Sequence, residues 1–144
     1  GIPGLFKRVT NPKIEYTPWD WAIFPQGLYE GMKRIRERYG DIPIMITENG
    51  LGDKDPIGEN GEILDYPRIE YLREHIRWCK RAIDDGVNLI GYFAWSFIDL
   101  LSWLNGYQKQ YGFVYVDRQK GLKRIKKQSY FWYQKLIQTN GEEL

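Results

Sequence analysis

Residues 42–47 read IPIMIT, an apolar run that ends on threonine and contains no charge. A strand with one wet face alternates apolar and polar residues. An unbroken run marks a strand buried on both faces, and such strands belong to parallel sheets. Residues 87–96, VNLIGYFAWS, read the same way. Between the two runs, Ile69, Leu72, Ile76, Cys79 and Ile83 recur at helical spacing from about Pro67 to Asp85, and Gly86 is placed to end that helix. Upstream, Pro25 suits the first position of a helix carrying Leu28, Met32, Ile35 and Tyr39, stopped by Gly40. Downstream, YGFVYVD predicts a short extended piece and residues 128–139 a last helix before Asn140-Gly141. Residues 1–24, with prolines at 3, 12 and 18, predict an irregular, extended lead-in. Helix, strand, helix, strand, helix is an α/β order with a parallel sheet. Two such strands cannot close a barrel, so the expectation is one portion of a larger fold.

The 144 residues are 42% hydrophobic and 28% charged, which places the chain among ordinary globular domains and excludes disorder. A net charge of +2 is too small to argue for nucleic acid or an anionic membrane. Cys79 is the only cysteine, so no disulfide framework or thiolate metal cluster is available, and its place on an apolar helix stripe predicts a buried, inert thiol. The opening GIPGLFKRVTNP lacks the pattern of a signal peptide, and no window approaches 18 apolar residues. The expectation is a cytoplasmic protein without a membrane span.

Glu48 closes the first buried run, in ITENG, and Trp95 and Ser96 close the second. Functional residues of parallel α/β folds collect at strand carboxyl ends, although a lone Glu there could equally cap the next turn. Residues 49–66 form a long connection rich in Gly, Asp and Glu, of the kind that often serves an active site. The segment SWLNGYQKQYG, residues 102–112, gathers hydroxyls, one lysine and aromatic plates, which suit a small polar ligand carrying negative charge. Loops after parallel strands open on one side, so Glu48, Trp95 and this segment are expected to converge. DKDPIGENGEI resembles a calcium loop only briefly: Ile57 and Leu64 occupy positions that need oxygen ligands. His75, the only histidine, is expected to be a surface or partly packed ring with no partner for a metal site. The five basic residues of KGLKRIKKQ, 120–128, are expected on a solvated face.

ITENG, then YFAWSFIDLLSW, then NGYQKQYGFVYVD, with PWDWAIFPQGLYEGM ahead of them, resemble the C-terminal part of glycoside hydrolase family 1, the retaining β-glycosidases. The resemblance covers essentially the whole chain. It implies residues 1–144 are the C-terminal segment of a single (β/α)8 domain: helix 6, strand 7, helix 7, strand 8 and helix 8. It implies that Glu48 is the catalytic nucleophile and that the Trp95 indole floors the sugar site. Where most of the family carries a Glu that binds the sugar 4- and 6-hydroxyls, this chain has Ser102. The subgroup that acts on 6-phosphorylated sugars pairs that Ser with a Lys and a Tyr seven and nine residues on, where Lys109 and Tyr111 stand. The substrate implied is a phosphorylated disaccharide or aryl glycoside, with no cofactor and no metal. Trp103 beside the clamp serine resembles the 6-phospho-β-galactosidases and leans the expectation towards galacto-configured sugars.

A retaining mechanism needs a second carboxylate roughly 5 to 5.5 Å from the first. The family takes it from an Asn-Glu-Pro motif that this chain lacks, and the family counterpart of Asp99 is not that acid. The chain by itself is expected to be inactive, and to self-associate or pair with the missing part. An ordinary β-glucosidase segment, a sugar-phosphate binding module without turnover, and a purely structural segment remain open alternatives.

Overall fold

The computed structural model describes residues 4–6 and 9–144. A short antiparallel hairpin of β1 (Glu15–Tyr16) and β2 (Ala22–Ile23) leads into α1 (Pro25–Tyr39). The parallel pair follows: β3 (Ile44–Asn49), the crossover helix α2 (Tyr66–Asp84) and β4 (Leu89–Ala94). A second hairpin, β5 (Val114–Asp117) and β6 (Lys123–Lys126), precedes α3 (Gln128–Gln138). The expected α/β order and the parallel pairing are therefore present, in a partial fold without a closed barrel. The expected irregular lead-in contains the first hairpin where it is described, and its residues 1–3, 7 and 8 lie outside the described residues.

Local chemistry sets the helix limits. Pro25 stands at the start of α1, where its missing N–H leaves no bond unmade. Gly40 closes the helix at φ 81°, donating its N–H to Arg36 O at 2.8 Å. The buried stripes include the expected Met32, Ile69, Leu72 and Cys79, with Leu28 and Ile76 half-buried, and widen to one side of them. In α1 the inward residues are Tyr29 and Met32, with Ile35 and Tyr39 exposed. In α2 they include Arg68, Tyr71, His75 and Ala82, while Ile83 is exposed. These helices pack over one face of the β3–β4 pair. Tyr29, Met32, Ile46, Cys79, Ala82 and Val87 form one core cluster, and Leu51, Tyr71, Leu72 and Phe113 form a second beside α3.

Burial of both strand faces does not hold. Ile44 and Ile46 turn towards the helices, but Met45, Ile90 and Phe93 are exposed, the last two by 59% and 55%. Among the described residues β3 and β4 pair in a sheet only with each other, so their outer edges have no strand partner. The basic run is exposed as expected at Lys120, Lys123, Arg124 and Lys126 and departs from expectation only at its end. Residues 123–126 are strand β6, and Lys127 has no exposed surface at all.

His75 is buried rather than at the surface. Its Nδ1 lies 2.6 Å from Tyr71 O, and its ring stacks on Tyr71 with centroids 3.9 Å apart. Burial holds the imidazole pKa below its ordinary value, against the opposing pull of that carbonyl and of Glu74. The unfolded chain therefore binds the proton first as pH falls. Stability is expected to drop from about pH 6.5 downward until the folded ring also titrates. Urea midpoints at pH 7 and pH 5 measure this, and His75→Gln is expected to shrink the difference between them.

Candidate active site

The two parallel strands end side by side, and the residues after them are stitched together by backbone bonds. Trp95 N–H donates to Asn49 O at 2.8 Å, and Ser96 N–H donates to Tyr111 O at 3.1 Å. Asp53 and Gln110 exchange both of their backbone bonds. The segments after β3, after β4 and before β5 thus meet at one place, as the chain order predicts. The Trp95–Ser96 peptide bond is cis.

Each residue of ITENG has a local reason. Asn49 Oδ1 accepts the Tyr92 hydroxyl at 2.6 Å, and its Nδ2 lies 3.4 Å from the Tyr71 hydroxyl, so one amide braces β4 and α2. At Gly50 an added Cβ would lie 1.8 Å from Trp95 O, a distance no side chain tolerates. The strand register is irregular between Ile46 and Asn49, and Thr47 and Glu48 fall in that interval with both side chains exposed. Glu48 is therefore exposed at the strand end, next in sequence to Asn49, whose carbonyl holds the backbone of the half-exposed Trp95.

Lys109 and Tyr111 come together over Gly52. A Cβ there would stand 2.6 Å from Tyr111 Cε1 and 3.1 Å from Lys109 Cδ. The Lys109 ammonium lies 5.3 Å from the Tyr111 ring centroid and 5.3 Å from that of Trp19. Two aromatic faces thus flank the cation and steady it without neutralising its charge. Ser102 sits at the base of a tight turn, exchanging backbone bonds with Gly106 at 2.8 Å each, and its Oγ accepts the Asn105 N–H at 3.3 Å. Trp103 stands at the tip of that turn, 99% exposed.

Sequence reasoning missed what lies beneath this surface. Arg68, 2% exposed, uses all five of its N–H bonds. Nε donates to Asp65 Oδ2 at 2.9 Å, Nη1 to Leu51 O and Tyr111 O, and Nη2 to Asp55 Oδ2 and Gln110 O. Lys127 Nζ reaches Asp55 Oδ2 and, at 2.8 Å, Asp99 Oδ1. Asp65 ties its own helix to α3, accepting Ser129 N–H at 2.8 Å and its hydroxyl at 2.5 Å besides the Arg68 guanidinium. Burial pushes the Asp55 carboxyl above its usual range despite the two cations beside it. The committed geometry of Asp55 leaves it no part in a calcium loop, and no cluster of three His, Cys, Asp or Glu among the described residues could hold a metal. An arginine in the first turn of an otherwise apolar stripe was the one sequence signal of this network.

Comparison with known proteins assigns the class. The profile of glycosyl hydrolase family 1 matches residues 3–142, and the chain belongs to that family. It is 57% identical over its whole length to the aryl-phospho-β-D-glucosidase BglC of Bacillus subtilis and covers 31% of that protein. Over 96% of the chain it is 46% identical to a 6-phospho-β-galactosidase of Leptotrichia buccalis, covering 29% of it. Among solved structures, a family 1 β-glucosidase from Thermotoga maritima superposes with a TM-score of 0.87 at 40% identity, over 94% of this chain and 30% of the other. The chain thus spans about a third of the length of the curated relatives it matches.

Proposed function

We propose that this chain is the C-terminal segment of a 6-phospho-β-glycosidase, comprising helix 6 (α1), strand 7 (β3), helix 7 (α2), strand 8 (β4) and helix 8 (α3) of a (β/α)8 domain. The observation that carries the reading is the pairing of Lys109 with Tyr111 over Gly52, on a segment bonded to the end of the strand that bears Trp95. A sugar 6-phosphate carries roughly −1.5 to −2 charges near neutral pH. An ammonium and the hydroxyls of Ser102 and Tyr111 supply the donors it needs. The carboxylate found at position 102 in other family members would repel it. The names of the Bacillus and Leptotrichia relatives support the same substrate class.

Chemistry follows from Glu48. Its carboxylate attacks the anomeric carbon, the glycosidic C–O bond breaks, and the departing oxygen takes a proton from an acid that this chain does not supply. Water then cleaves the glycosyl ester and releases the sugar with retained configuration. Trp95 offers its indole face to the pyranose, and Trp103 favours acceptance of galacto-configured sugars. No helix among the described residues is long and apolar enough to cross a membrane, and a cytoplasmic location is part of the proposal.

Four chromogenic substrates test it: the 6-phospho-β-galactoside, its gluco epimer and both unphosphorylated parents. They are presented to this chain alone and to a chimaera in which it replaces the matching segment of BglC. Turnover by the chimaera of the phosphorylated pair only, with none by the chain alone, is expected. Equal turnover of all four would favour an ordinary β-glucosidase, the activity named for the Thermotoga structure. Binding of sugar phosphates without turnover even in the chimaera would favour a binding module.

The uncovered side of the β3–β4 pair bears on behaviour in solution. Met45, Ile90, Phe93, Phe97 and Ile137 are all exposed, and apolar surface beside open strand edges promotes association. The chain alone is expected to self-associate, so light scattering should give a mass above 17.2 kDa. A clean monomer at working concentration would refute this.

A further inference from the structure

We propose that Asp99 is a positioning residue for the phosphate clamp, held ready by Lys127 and assisted by Arg68. This rests on the assignment of Lys109 and Tyr111 as clamp residues. Asp99 Oδ1 accepts the Tyr111 N–H at 3.2 Å and the Gly112 N–H at 2.8 Å, as well as the Lys127 ammonium. The other side of the same peptide segment is taken by Arg68, whose Nη1 and Nη2 reach Tyr111 O at 3.2 Å and Gln110 O at 3.3 Å. Backbone donors of residues 111–112 thus meet a carboxylate, and the backbone acceptors of residues 110–111 meet a guanidinium. A segment gripped on both sides cannot shift its backbone without breaking charge-assisted bonds, which fixes the point from which the Tyr111 side chain extends and, one residue before the grip, anchors that of Lys109.

The grip depends on burial. Lys127 has no exposed surface, Asp55 and Arg68 are nearly as enclosed, and an added Cβ at Gly112 would lie 2.4 Å from Asp99 N. Asp99 thus reaches the clamp through the backbone of Tyr111 and Gly112. Its second oxygen, Oδ2, is buried and accepts no hydrogen bond from the described residues. Lys127 is the cation that makes a carboxylate tolerable at this depth.

Two readouts test the inference. Amide hydrogen exchange in the unaltered chain is expected to show Tyr111 and Gly112 protected well above Trp103 and Leu104 of the exposed turn. Affinities for glucose 6-phosphate and for glucose, measured by NMR titration, give the phosphate preference. Asp99→Ala is expected to speed exchange at Tyr111 and Gly112 and to cut that preference about tenfold, the effect of losing one bond to a charged group. Asp99→Asn, which keeps an acceptor oxygen, should recover most of both. Unchanged exchange and preference in Asp99→Ala would overturn the inference. So would equal weakening for both sugars, which marks a merely structural role. Should Asp99→Ala not fold, unprotected Tyr111 and Gly112 amides in the unaltered chain would overturn it alone. Absence of any phosphate preference in the unaltered chain would instead defeat the clamp assignment, leaving the exchange data to judge the grip.

Discussion

Lys109→Ala, placed in the BglC chimaera, is expected to lower kcat/KM for the 6-phospho-β-galactoside and its gluco epimer by roughly ten- to a hundredfold. That range is the loss of one hydrogen bond to a charged group, about 1.5–3 kcal/mol. Whatever turnover the unphosphorylated parents show should stay within about twofold, because the proposed clamp sets Lys109 against the phosphate alone. The structure explains the size of the effect. The ammonium is held between the Trp19 and Tyr111 rings rather than swinging free, so less side-chain freedom is lost on binding. Its charge is not consumed by a carboxylate in those contacts. Equal losses on phosphorylated and plain substrates would show that Lys109 supports the loop and not the phosphate.

The second large effect concerns stability. Arg68→Met is expected to cost about 3–5 kcal/mol, the usual result of removing one partner from a buried ion pair. A domain of this kind has only about 5–15 kcal/mol in total, so the variant should be largely unfolded in low urea. The cause is specific. Five acceptors each lose a charged donor together, namely Asp55, Asp65 and the carbonyls of Leu51, Gln110 and Tyr111. Both carboxylates are almost entirely enclosed, so water cannot replace the guanidinium. A urea midpoint within experimental error of the unaltered chain would mean the network is not the tie between α2, the residues after β3 and the clamp segment.

Helices and parallel strands were legible because they repeat. A period near 3.6 placed α1, α2 and α3 within a residue or two of their observed limits, and two unbroken apolar runs marked β3 and β4. The stripe of α2 was right at Ile69, Leu72 and Cys79 and failed at its end, where Ala82 is buried and Ile83 exposed. The first hairpin was illegible because strands of two residues carry no period. Strand β6 was hidden by its basic composition, since Lys and Arg on a hairpin edge keep their charges in water while the backbone pairs. Lys127 at the end of that run was misread for a deeper reason. Its partners Asp55 and Asp99 lie 72 and 28 residues away, and nothing local distinguishes a buried lysine from its solvated neighbours. The same limit concealed Asp65 as the cap of α3. The family was legible in ITENG, AWS and the segment after them, and those motifs carry the proposed site. Their support lies in long-range pairs that only the fold brings together.

The central claim is that Glu48 is the nucleophile of a phosphate-specific site. A 6-phosphorylated 2-deoxy-2-fluoro-β-glucosyl fluoride tests it most directly, because fluoride departs with little help from an acid and the fluorinated glycosyl ester hydrolyses slowly. The BglC chimaera would be incubated with this reagent, digested, and the labelled peptide located by mass spectrometry. A single adduct on Glu48, absent with the unphosphorylated reagent and absent in Glu48→Gln, is the result predicted. A label on another carboxylate, or equal labelling by the unphosphorylated reagent, would contradict it.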